Sequence, residues 1–456
     1  MDATAEKFVD FAHGLEWEAL PTATAHAAKR SLVDAIGCLY GGYDNECLVA
    51  ARRLAATQPV GGGATVIGTD VHTTPDLAAL VNGAAVRYLD YSDDYFGGTG
   101  ELGPHPSDNI AGILAAAEWA RQGGQAVLLG IVIAYEAVGR IVDAANMRGR
   151  KRTWDYPVLH AIGTALGSAR VLGLDAEQTR NALGLAVTPN NALLATRLGH
   201  LSNWKAFAGP NASRNGLFAT LLAREGVSGP HEPFEGDGGL FQHLDQTWDI
   251  GTLGAPFRVE QTFFKAIPVR YTTQLPVIMA IDLRQRVAID EIERLDIFIN
   301  KRHVVTREHH GAHWDPTTRE TADHSLPYLV AAALIDGAIT PETFTPARYR
   351  DPDVLRLTGA VHLSEDPEST ELFPREFKLR FDVTLKSGEV VSMEGRNPKG
   401  HPRNPMSDDE LDSKFIEQTA PKLGTDATRE LLAALWRIEE FEDVRELLAL
   451  MAIRSV

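Results

Sequence analysis

The chain is poor in cysteine, lacks a long apolar run and has fewer basic than acidic residues. Only Cys38 and Cys47 occur among its 456 residues, too few for a disulfide framework or for the roughly three or four thiolates that usually bind an iron–sulfur cluster. No run of about eighteen apolar residues is present, and the first residues lack the regions of a signal peptide. We therefore expect a cytoplasmic protein that has no membrane partner.

The charge balance narrows the class of ligand. A formal charge of −17, from 44 basic and 61 acidic residues, argues against nucleic acid, which is bound by clusters of lysine and arginine. An anionic substrate would be repelled at long range, so a local cationic pocket would be required. The hydrophobic content of 44% is that of an ordinary globular protein. The length exceeds what one hydrophobic core usually serves, which predicts two domains.

The spacing of apolar residues predicts a mainly α fold. Recurrence at three and four residues indicates a helix over 20–42 and further helices along the first half. These further helices are 75–90, 108–122, 125–146, 158–172, 176–187 and 209–226. Strand-like runs are scarce before about residue 255. We expect a large all-helical domain formed by both chain ends, residues 1–256 and 405–456.

From residue 257 the pattern changes to that of a smaller α+β domain, residues 257–404. Apolar and polar residues alternate over 292–301 and 377–395, and Lys-Ser-Gly-Glu within the second stretch is typical of a hairpin turn. Beyond it, Ser407 and Glu410 form a capping-box signature. The tail is therefore helical and is expected to pack on the first domain.

The segment RYLDYSDDYFGGTGELGPHPSDN, residues 87–109, combines three carboxylates with one imidazole. Asp90 ends an apolar helical stripe, and Asp93 and Asp94 follow three and four residues later. If the helix continues, the carboxylates share one face and repel each other unless cations or a proton intervene. A solvated acidic loop is an equal alternative. His105 lies between two prolines that fix its backbone, although most single loop histidines have no catalytic role.

Three basic residues are candidates for the cationic pocket. Lys205 lies in HLSNWKAFAGPNASRNG beside a tryptophan and a run of small residues. By itself it reads more readily as a helix-surface lysine whose stem covers apolar surface. Lys265 and Arg270 bracket a proline among aromatic residues in FFKAIPVRYTTQ, at the expected domain junction. Such junctions commonly contain ligand sites.

The stretch TRETADHSLPYLVAAALIDG predicts a buried helix with Ser325 as N-cap and Pro327 in the first turn. Its N-terminus, flanked by His324 and Tyr328, is suited to bind a carboxylate, and simple helix initiation is the alternative.

Two further stretches are set aside. His309, His310 and His313 lack the glutamate spacing of a zinc protease helix, so no metal is expected. The glycine-rich stretch 61–70 follows no strand and opens no helix, so it fails as a phosphate loop.

Long stretches of the chain resemble the 2-methylcitrate dehydratase (MmgE/PrpD) family, which also includes cis-aconitate decarboxylases and an iminodisuccinate epimerase. The resemblance is carried by VNGAAVRYLDYSDDY, GPHPSDNI, LSNWKAFAGPNASRNGLFATLLAREGVSGP, DPTTRETADHSLPYLVA and NPKGHPRNPMSDDEL, in this order. It implies a large all-helical domain with a smaller α+β lid domain, a homodimer, and an enzyme that uses no cofactor on a small anionic di- or tricarboxylate.

The resemblance also implies which residues form the site. The positions matching catalytic residues are Asp90, His105, Lys205, Lys265 and Tyr328. Our candidate substrate-binding positions are Asp93, Asp94, Ser107, Trp154, Asp155, Arg270 and His324, of which the comparison with the family concerns Asp94, Trp154, Asp155 and Arg270. Several positions depart from the family. Asp94 replaces a threonine, and Trp154 and Asp155 stand where decarboxylases have a histidine. Arg270 stands where decarboxylases have a histidine and dehydratases an acidic residue, and Thr272 stands where dehydratases have a histidine.

The implied reaction is dehydration of 2-methylcitrate or a related hydroxy-tricarboxylate to a cis-aconitate-type product. His105 is our choice for the base, with Asp90 orienting it and with Tyr328 or a protonated Asp94 as the acid. Lys205, Lys265 and Arg270 would supply the positive charge. Decarboxylation of cis-aconitate or epimerisation of a small dicarboxylate such as iminodisuccinate is the alternative, because positions 94, 270 and 272 differ. A non-enzymatic anion-binding relic is a further alternative.

Overall fold

The structure is a computed structural model that describes residues 2–98, 100, 102–145 and 153–454. The chain divides into two compact units. The first unit comprises Met1–Leu194, Ala206–Thr262 and Ser407–Val456, and the second comprises Ala195–Lys205 and Phe263–Met406. The short segment Ala195–Lys205 thus groups with the second unit, whereas the sequence pattern had assigned it to the all-helical domain.

Helices follow one another along the first half of the chain, as the apolar spacing predicts. They are α1 (Ala3–Gly14), α2 (Thr22–Gly42), α3 (Glu46–Ala56), α4 (Pro75–Tyr88), α5 (Ile110–Ala120), α6 (Gly124–Ala144), α7 (Pro157–Val171), α8 (Ala176–Val187), α9 (Trp204–Arg224) and α10 (Leu240–Leu244). Each helix predicted there is present with ends shifted by a few residues. The mainly α prediction is confirmed.

The all-helical description of the first unit needs one correction. Strands β1 (Ala64–Thr65) and β2 (His72–Thr73) pair as a short antiparallel ribbon. The chain reverses between them through Gly68, whose φ of 83° lies in the left-handed region that glycine adopts without strain. Strands this short carry too little alternation to be recognised from the sequence.

Helix α6 forms much of the core of the first unit. It packs against α7, and a Cβ added at Gly167 would lie 2.5 Å from the carbonyl oxygen of Gly130, so glycine permits this close approach. Among the described residues, α6 is the helix whose length and composition would suffice to cross a membrane, and 83% of that apolar window is buried inside the protein. Such burial is what the core helix of a globular protein shows.

The second unit combines one mixed sheet with helices. The strands are β3 (Ile292–Ile299), β4 (Val361–Glu365), β5 (Lys378–Leu385) and β6 (Val390–Arg396), in the order β4-β3-β5-β6. The helices are α11 (Tyr271–Leu283), α12 (Arg307–His310), α13 (Arg319–Ala322), α14 (Leu326–Asp336), α15 (Pro346–Tyr349), α16 (Pro352–Ala360) and α17 (Pro367–Leu372). Both predicted strand stretches are confirmed, and β5 and β6 form the antiparallel hairpin that the Lys-Ser-Gly-Glu turn predicts.

The C-terminal helices return to the first unit. They are α18 (Asp408–Leu423), α19 (Thr425–Trp436) and α20 (Val444–Ala449). The predicted capping box is present, because the Ser407 hydroxyl accepts from the Glu410 N–H at 3.2 Å and the Glu410 carboxylate accepts from the Ser407 N–H at 2.7 Å. Helix α18 packs against α2, as expected for a tail that packs on the first domain.

Candidate active site

The acidic stretch after α4 does not continue the helix. Helix α4 ends at Tyr88, and Asp90 has a left-handed φ of 54°, so the three carboxylates do not share one helix face. The alternative of a solvated loop is also wrong, because Asp90, Asp93 and Asp94 are at most 4% exposed. The guanidinium of Arg87, itself buried, donates to Asp90 Oδ1 at 3.1 Å. This ion pair compensates the buried charge of Asp90.

Asp93 supports the backbone around His105. Its Oδ1 accepts from the Ser107 N–H at 3.0 Å, and its Oδ2 accepts from the Tyr135 hydroxyl of α6 at 2.7 Å. Burial raises the pKa of Asp93 to about 6, although the hydrogen bonds from Ser107 and Tyr135 favour its charged form. Both carboxylate oxygens are therefore engaged within the fold, which makes Asp93 a support for the loop.

His105 lies among the three carboxylates with a defined tautomer. Its Nδ1 is 2.6 Å from the backbone carbonyl oxygen of Asp93, and because a carbonyl can only accept, Nδ1 carries the proton. The Nε2 atom lies 3.9 Å from Asp90 Oδ1, and Nδ1 lies 4.0 Å from Asp94 Oδ2. We call Asp90, Asp93, Asp94 and His105 the His105 cluster. In neutral His105 the basic atom is thus Nε2.

A buried ion pair lies beneath this loop. Lys414 of α18 donates to Asp34 Oδ1 of α2 at 2.6 Å and to the backbone carbonyl of Tyr91 at 2.8 Å. Its ammonium also lies 3.8 Å from the centroid of the Tyr91 ring. Burial, the largest single effect, lowers the pKa of Lys414, but Asp34, Cys38 and Tyr91 together raise it more, and the net shift is upward. Lys414 therefore remains charged and ties the His105 cluster to both chain ends.

Aromatic and polar residues continue from His105 towards α7. The Tyr156 ring lies edge-on to His105 at 6.0 Å between centroids and to His160 of α7 at 5.8 Å. His160 Nε2 is 3.4 Å from the buried carboxylate of Asp108. A Cβ at Gly209 of α9 would lie 1.9 Å from Asp108 Oδ2, so this carboxylate occupies space that only glycine leaves open.

Trp154 and Asp155 precede α7 and are both buried. Asp155 Oδ1 accepts from the Tyr156 N–H at 2.9 Å, and the Asp155 N–H donates to the carbonyl of Ala192 at 2.8 Å. The Trp154 ring packs 6.5 Å from that of Trp248. Through these contacts both residues are buried next to Tyr156.

A second group of candidate residues converges within the second unit. Lys205 Nζ donates to Asp323 Oδ1 at 2.8 Å and to Oδ2 at 2.9 Å. His324 Nδ1 lies 2.6 Å from Asp323 Oδ1, and the Arg270 N–H donates to the Asp323 carbonyl at 3.0 Å. We call Lys205, Arg270, Asp323 and His324 the Asp323 cluster. Lys205 is buried, so the expectation of a helix-surface lysine is wrong.

Lys265 and Tyr328 are also buried in the second unit. Lys265 is fully buried. Ser325 is the N-cap of α14, as predicted, and accepts from the Tyr328 N–H at 3.2 Å. The Tyr328 hydroxyl donates to the Thr343 backbone carbonyl, and burial raises its pKa. This hydroxyl is thus bound within the fold, which makes it a poor proton donor to a ligand.

The three neighbouring histidines form local contacts. His309 Nδ1 lies 3.2 Å from the Thr306 hydroxyl, and the His310 ring is 6.3 Å from that of His309 and 6.2 Å from that of His313. Burial, followed by the charge of Arg270, lowers the pKa of His313 to about 4. His313 is therefore neutral at physiological pH.

The sequence reasoning missed several residues that organise these clusters. Arg87 stands in the quoted motif but was not selected, and Asp323 directly precedes the selected His324. Both could have been found as the charged neighbours that a buried partner requires. Lys414 and Tyr135 lie in ordinary helical stretches and carried no local signal.

Together these features are typical of an enzyme that moves protons. A buried imidazole of fixed tautomer beside carboxylates is suited to general acid–base catalysis. The fold around these features is mainly α, with one mixed sheet in the second unit. The MmgE/PrpD N-terminal domain model matches residues 6–252, and the MmgE/PrpD C-terminal domain model matches residues 267–439. The chain belongs to the MmgE/PrpD family.

Relatives of two enzymatic activities are similar to the chain. It is 26% identical over 477 residues to a cis-aconitate decarboxylase of Mus musculus, covering 100% of this chain and 95% of the relative. It is 27% identical over 422 residues to a 2-methylcitrate dehydratase of Cupriavidus necator, covering 82% of this chain and 81% of the relative. The Salmonella typhimurium 2-methylcitrate dehydratase is 27% identical over 424 residues. These names support an enzymatic role for this chain.

Proposed function

We propose that the protein is a hydro-lyase that dehydrates 2-methylcitrate or a related hydroxy-tricarboxylate without a cofactor. The observation that carries this proposal is the buried His105, whose Nδ1 binds the Asp93 carbonyl at 2.6 Å while Nε2 lies 3.9 Å from Asp90. An imidazole with one nitrogen fixed and the other basic is suited to remove a proton from carbon. The relatives named 2-methylcitrate dehydratase supply the substrate class.

In the proposed reaction, His105 Nε2 removes a proton from the carbon next to a substrate carboxylate. The electron pair moves into the carbon–carbon bond, the bond to the hydroxyl oxygen breaks, and a protonated group converts the departing hydroxide to water. Asp90 lies close enough to stabilise the imidazolium that forms. Asp94, 4.0 Å from His105 Nδ1, is preferred over Tyr328 as the proton donor, because the Tyr328 hydroxyl is bound to Thr343.

Loss of a carbon-bound proton places negative charge on the substrate carboxylate, and only fixed positive charge or directed N–H donors stabilise it. We assign this role to Lys205, Lys265 and Arg270. The net charge of −17 makes such groups necessary for a tricarboxylate to bind at all. Lys205 contributes a directed ammonium, because both oxygens of Asp323 fix its position.

Decarboxylation of cis-aconitate is the second candidate, and one observation favours it. The cis-aconitate decarboxylases of Mus musculus and Homo sapiens align over 100% and 99% of this chain, whereas the Cupriavidus necator dehydratase aligns over 82%. Decarboxylation would use the same stabilised carbanion with carbon dioxide as the leaving group. The departures at Asp94 and Arg270 are compatible with either substrate.

The deciding experiment is proton NMR of the purified, chelator-treated protein with 2-methylcitrate, citrate, cis-aconitate and iminodisuccinate. An unsaturated tricarboxylate formed from 2-methylcitrate or citrate is the expected result. Carbon dioxide released from cis-aconitate would replace the proposal by the decarboxylase alternative. Absence of change with every acid would refute both.

Variants at two histidines link the activity to the His105 cluster. His105→Gln removes the base and should lower turnover by about 10²- to 10⁴-fold. His231→Gln alters an exposed loop histidine and should leave turnover unchanged. Equal activity of the two variants would exclude His105 as the base.

A further inference from the structure

Asp323 contacts three residues that the sequence assigns to the active site. Its carboxylate accepts from Lys205 Nζ at 2.8 and 2.9 Å and lies 2.6 Å from His324 Nδ1. Its backbone carbonyl accepts from the Arg270 N–H at 3.0 Å, at the residue that caps α11. The sequence analysis did not select Asp323, yet it contacts every other member of the Asp323 cluster.

The electrostatics of this arrangement are those of a coupled unit. The side chains of Asp323 and Lys205 are 1% and 3% exposed, and a buried ammonium is stable only when a carboxylate compensates it. The same carboxylate places the imidazole proton of neutral His324 on Nδ1, so the ring's lone pair lies on Nε2. The His324 side chain is 17% exposed and is thus the member of the three nearest to solvent.

We propose that Asp323 is a positioning residue that binds Lys205 and His324 together and presents their ammonium and imidazole groups to a carboxylate-bearing substrate. The inference deepens the proposed function and rests on it for the identity of the substrate. It adds that two basic residues far apart in sequence act as one unit, because a single carboxylate fixes both. An equivalent role is attested where a carboxylate orients an active-site imidazole and sets its tautomer.

The first test reads the tautomer of His324 and needs no substrate. In nitrogen-15 NMR of histidine-labelled full-length protein, at a pH well above the ordinary pKa of histidine, His324→Gln identifies the His324 signals. We expect the proton on Nδ1 in the wild-type protein and a shift towards the Nε2–H form in Asp323→Asn. A wild-type His324 with its proton on Nε2 would overturn the proposal, and this wild-type measurement does not depend on whether Asp323→Asn folds.

The matched control is Glu320→Gln. Glu320 is a neighbouring buried carboxylate in α13 that accepts from the Asn203 side chain at 2.6 Å, so its loss perturbs the same region without removing a contact of Lys205 or His324. The His324 signals should be unchanged in this variant. Equal shifts in Glu320→Gln and Asp323→Asn would mean that the effect is general loosening of the segment, which also overturns the proposal.

The second test measures turnover of whichever acid the wild-type protein converts. Asp323→Asn should lower kcat by about 10²-fold, whereas Glu320→Gln should stay close to wild type. Normal kcat in folded Asp323→Asn would contradict a positioning role. If the wild-type protein converts no acid, the proposed function fails, while the His324 tautomer still decides whether Asp323 orients that imidazole.

Discussion

Lys414→Met is the substitution for which the structure allows the most direct estimate of stability. The ammonium of Lys414 and the carboxylate of Asp34 are 5% and 0% exposed, and the ammonium also binds the Tyr91 carbonyl. Methionine fills similar space but leaves Asp34 buried without its cation. Removal of one partner of a buried pair costs about 3–5 kcal/mol, which is a large part of the roughly 5–15 kcal/mol that stabilises a typical domain.

The assay is urea unfolding followed by circular dichroism and tryptophan fluorescence. Lys422→Met is the matched control, because Lys422 lies in the same helix and pairs with Asp44, whose side chain is 72% exposed. This exposed pair should contribute at most about 1 kcal/mol. Asp34→Leu combined with Lys414→Met should recover part of the loss, since neither charge then remains buried. Equal costs for the two lysine substitutions would refute the reasoning.

Three further predictions concern groups described above. The pKa of Asp93 in the folded protein is raised to about 6, so the native state binds this proton more tightly than the unfolded state does. The contribution of Asp93 to the unfolding free energy should therefore fall as pH rises from about 4 to 6, by up to about 1.4 kcal/mol per pH unit. The urea midpoint of Asp93→Asn should not show this fall with pH. A pH profile parallel to that of the wild-type protein would contradict the prediction. The pKa of His313 is lowered to about 4, so its effect on stability has the opposite sign: the unfolding free energy should rise between pH 4 and about 6.5. This rise should be smaller in His313→Gln than in the wild-type protein. Identical pH profiles of the two proteins would contradict the lowered pKa. Gly209→Ala should cost about 1–3 kcal/mol, because its Cβ would displace Asp108, whereas Gly14→Ala meets nothing within 4 Å and should be neutral in thermal melting; equal melting temperatures would count against the crowding argument.

The sequence predicted what depends on local pattern. Helix positions follow from the recurrence of apolar residues. The helix N-caps Ser325 and Ser407 could be predicted because a serine hydroxyl at this position can accept from the backbone N–H three residues later, which has no partner within the helix. The environment of the acidic stretch could not be predicted in this way, because Asp93 is bound by Tyr135 of α6, a contact between residues that no local spacing connects.

Ion pairs between residues far apart in the chain could not be predicted from the sequence either. Lys205 and Asp323 lie 118 residues apart, and Lys414 and Asp34 lie 380 residues apart. No periodicity or spacing rule connects such positions, although each pair is dictated by the cost of burying one charge alone. The resemblance to the family selected Lys205, and the predicted helix N-terminus selected His324, but only the structure shows that one carboxylate binds both.

The contact between Lys414 and the Tyr91 carbonyl has a consequence for how the protein is made. A ribosome synthesises the His105 loop early, and about 300 further residues follow before Lys414. At about 5–20 residues per second, this interval lasts roughly 15–60 s. Throughout that time Asp34 and the Tyr91 carbonyl lack the ammonium that binds both of them in the folded protein. The loop can reach its final arrangement only after the C-terminal helices emerge, so a chain released early would contain every residue of the His105 cluster and still lack the cation beneath it.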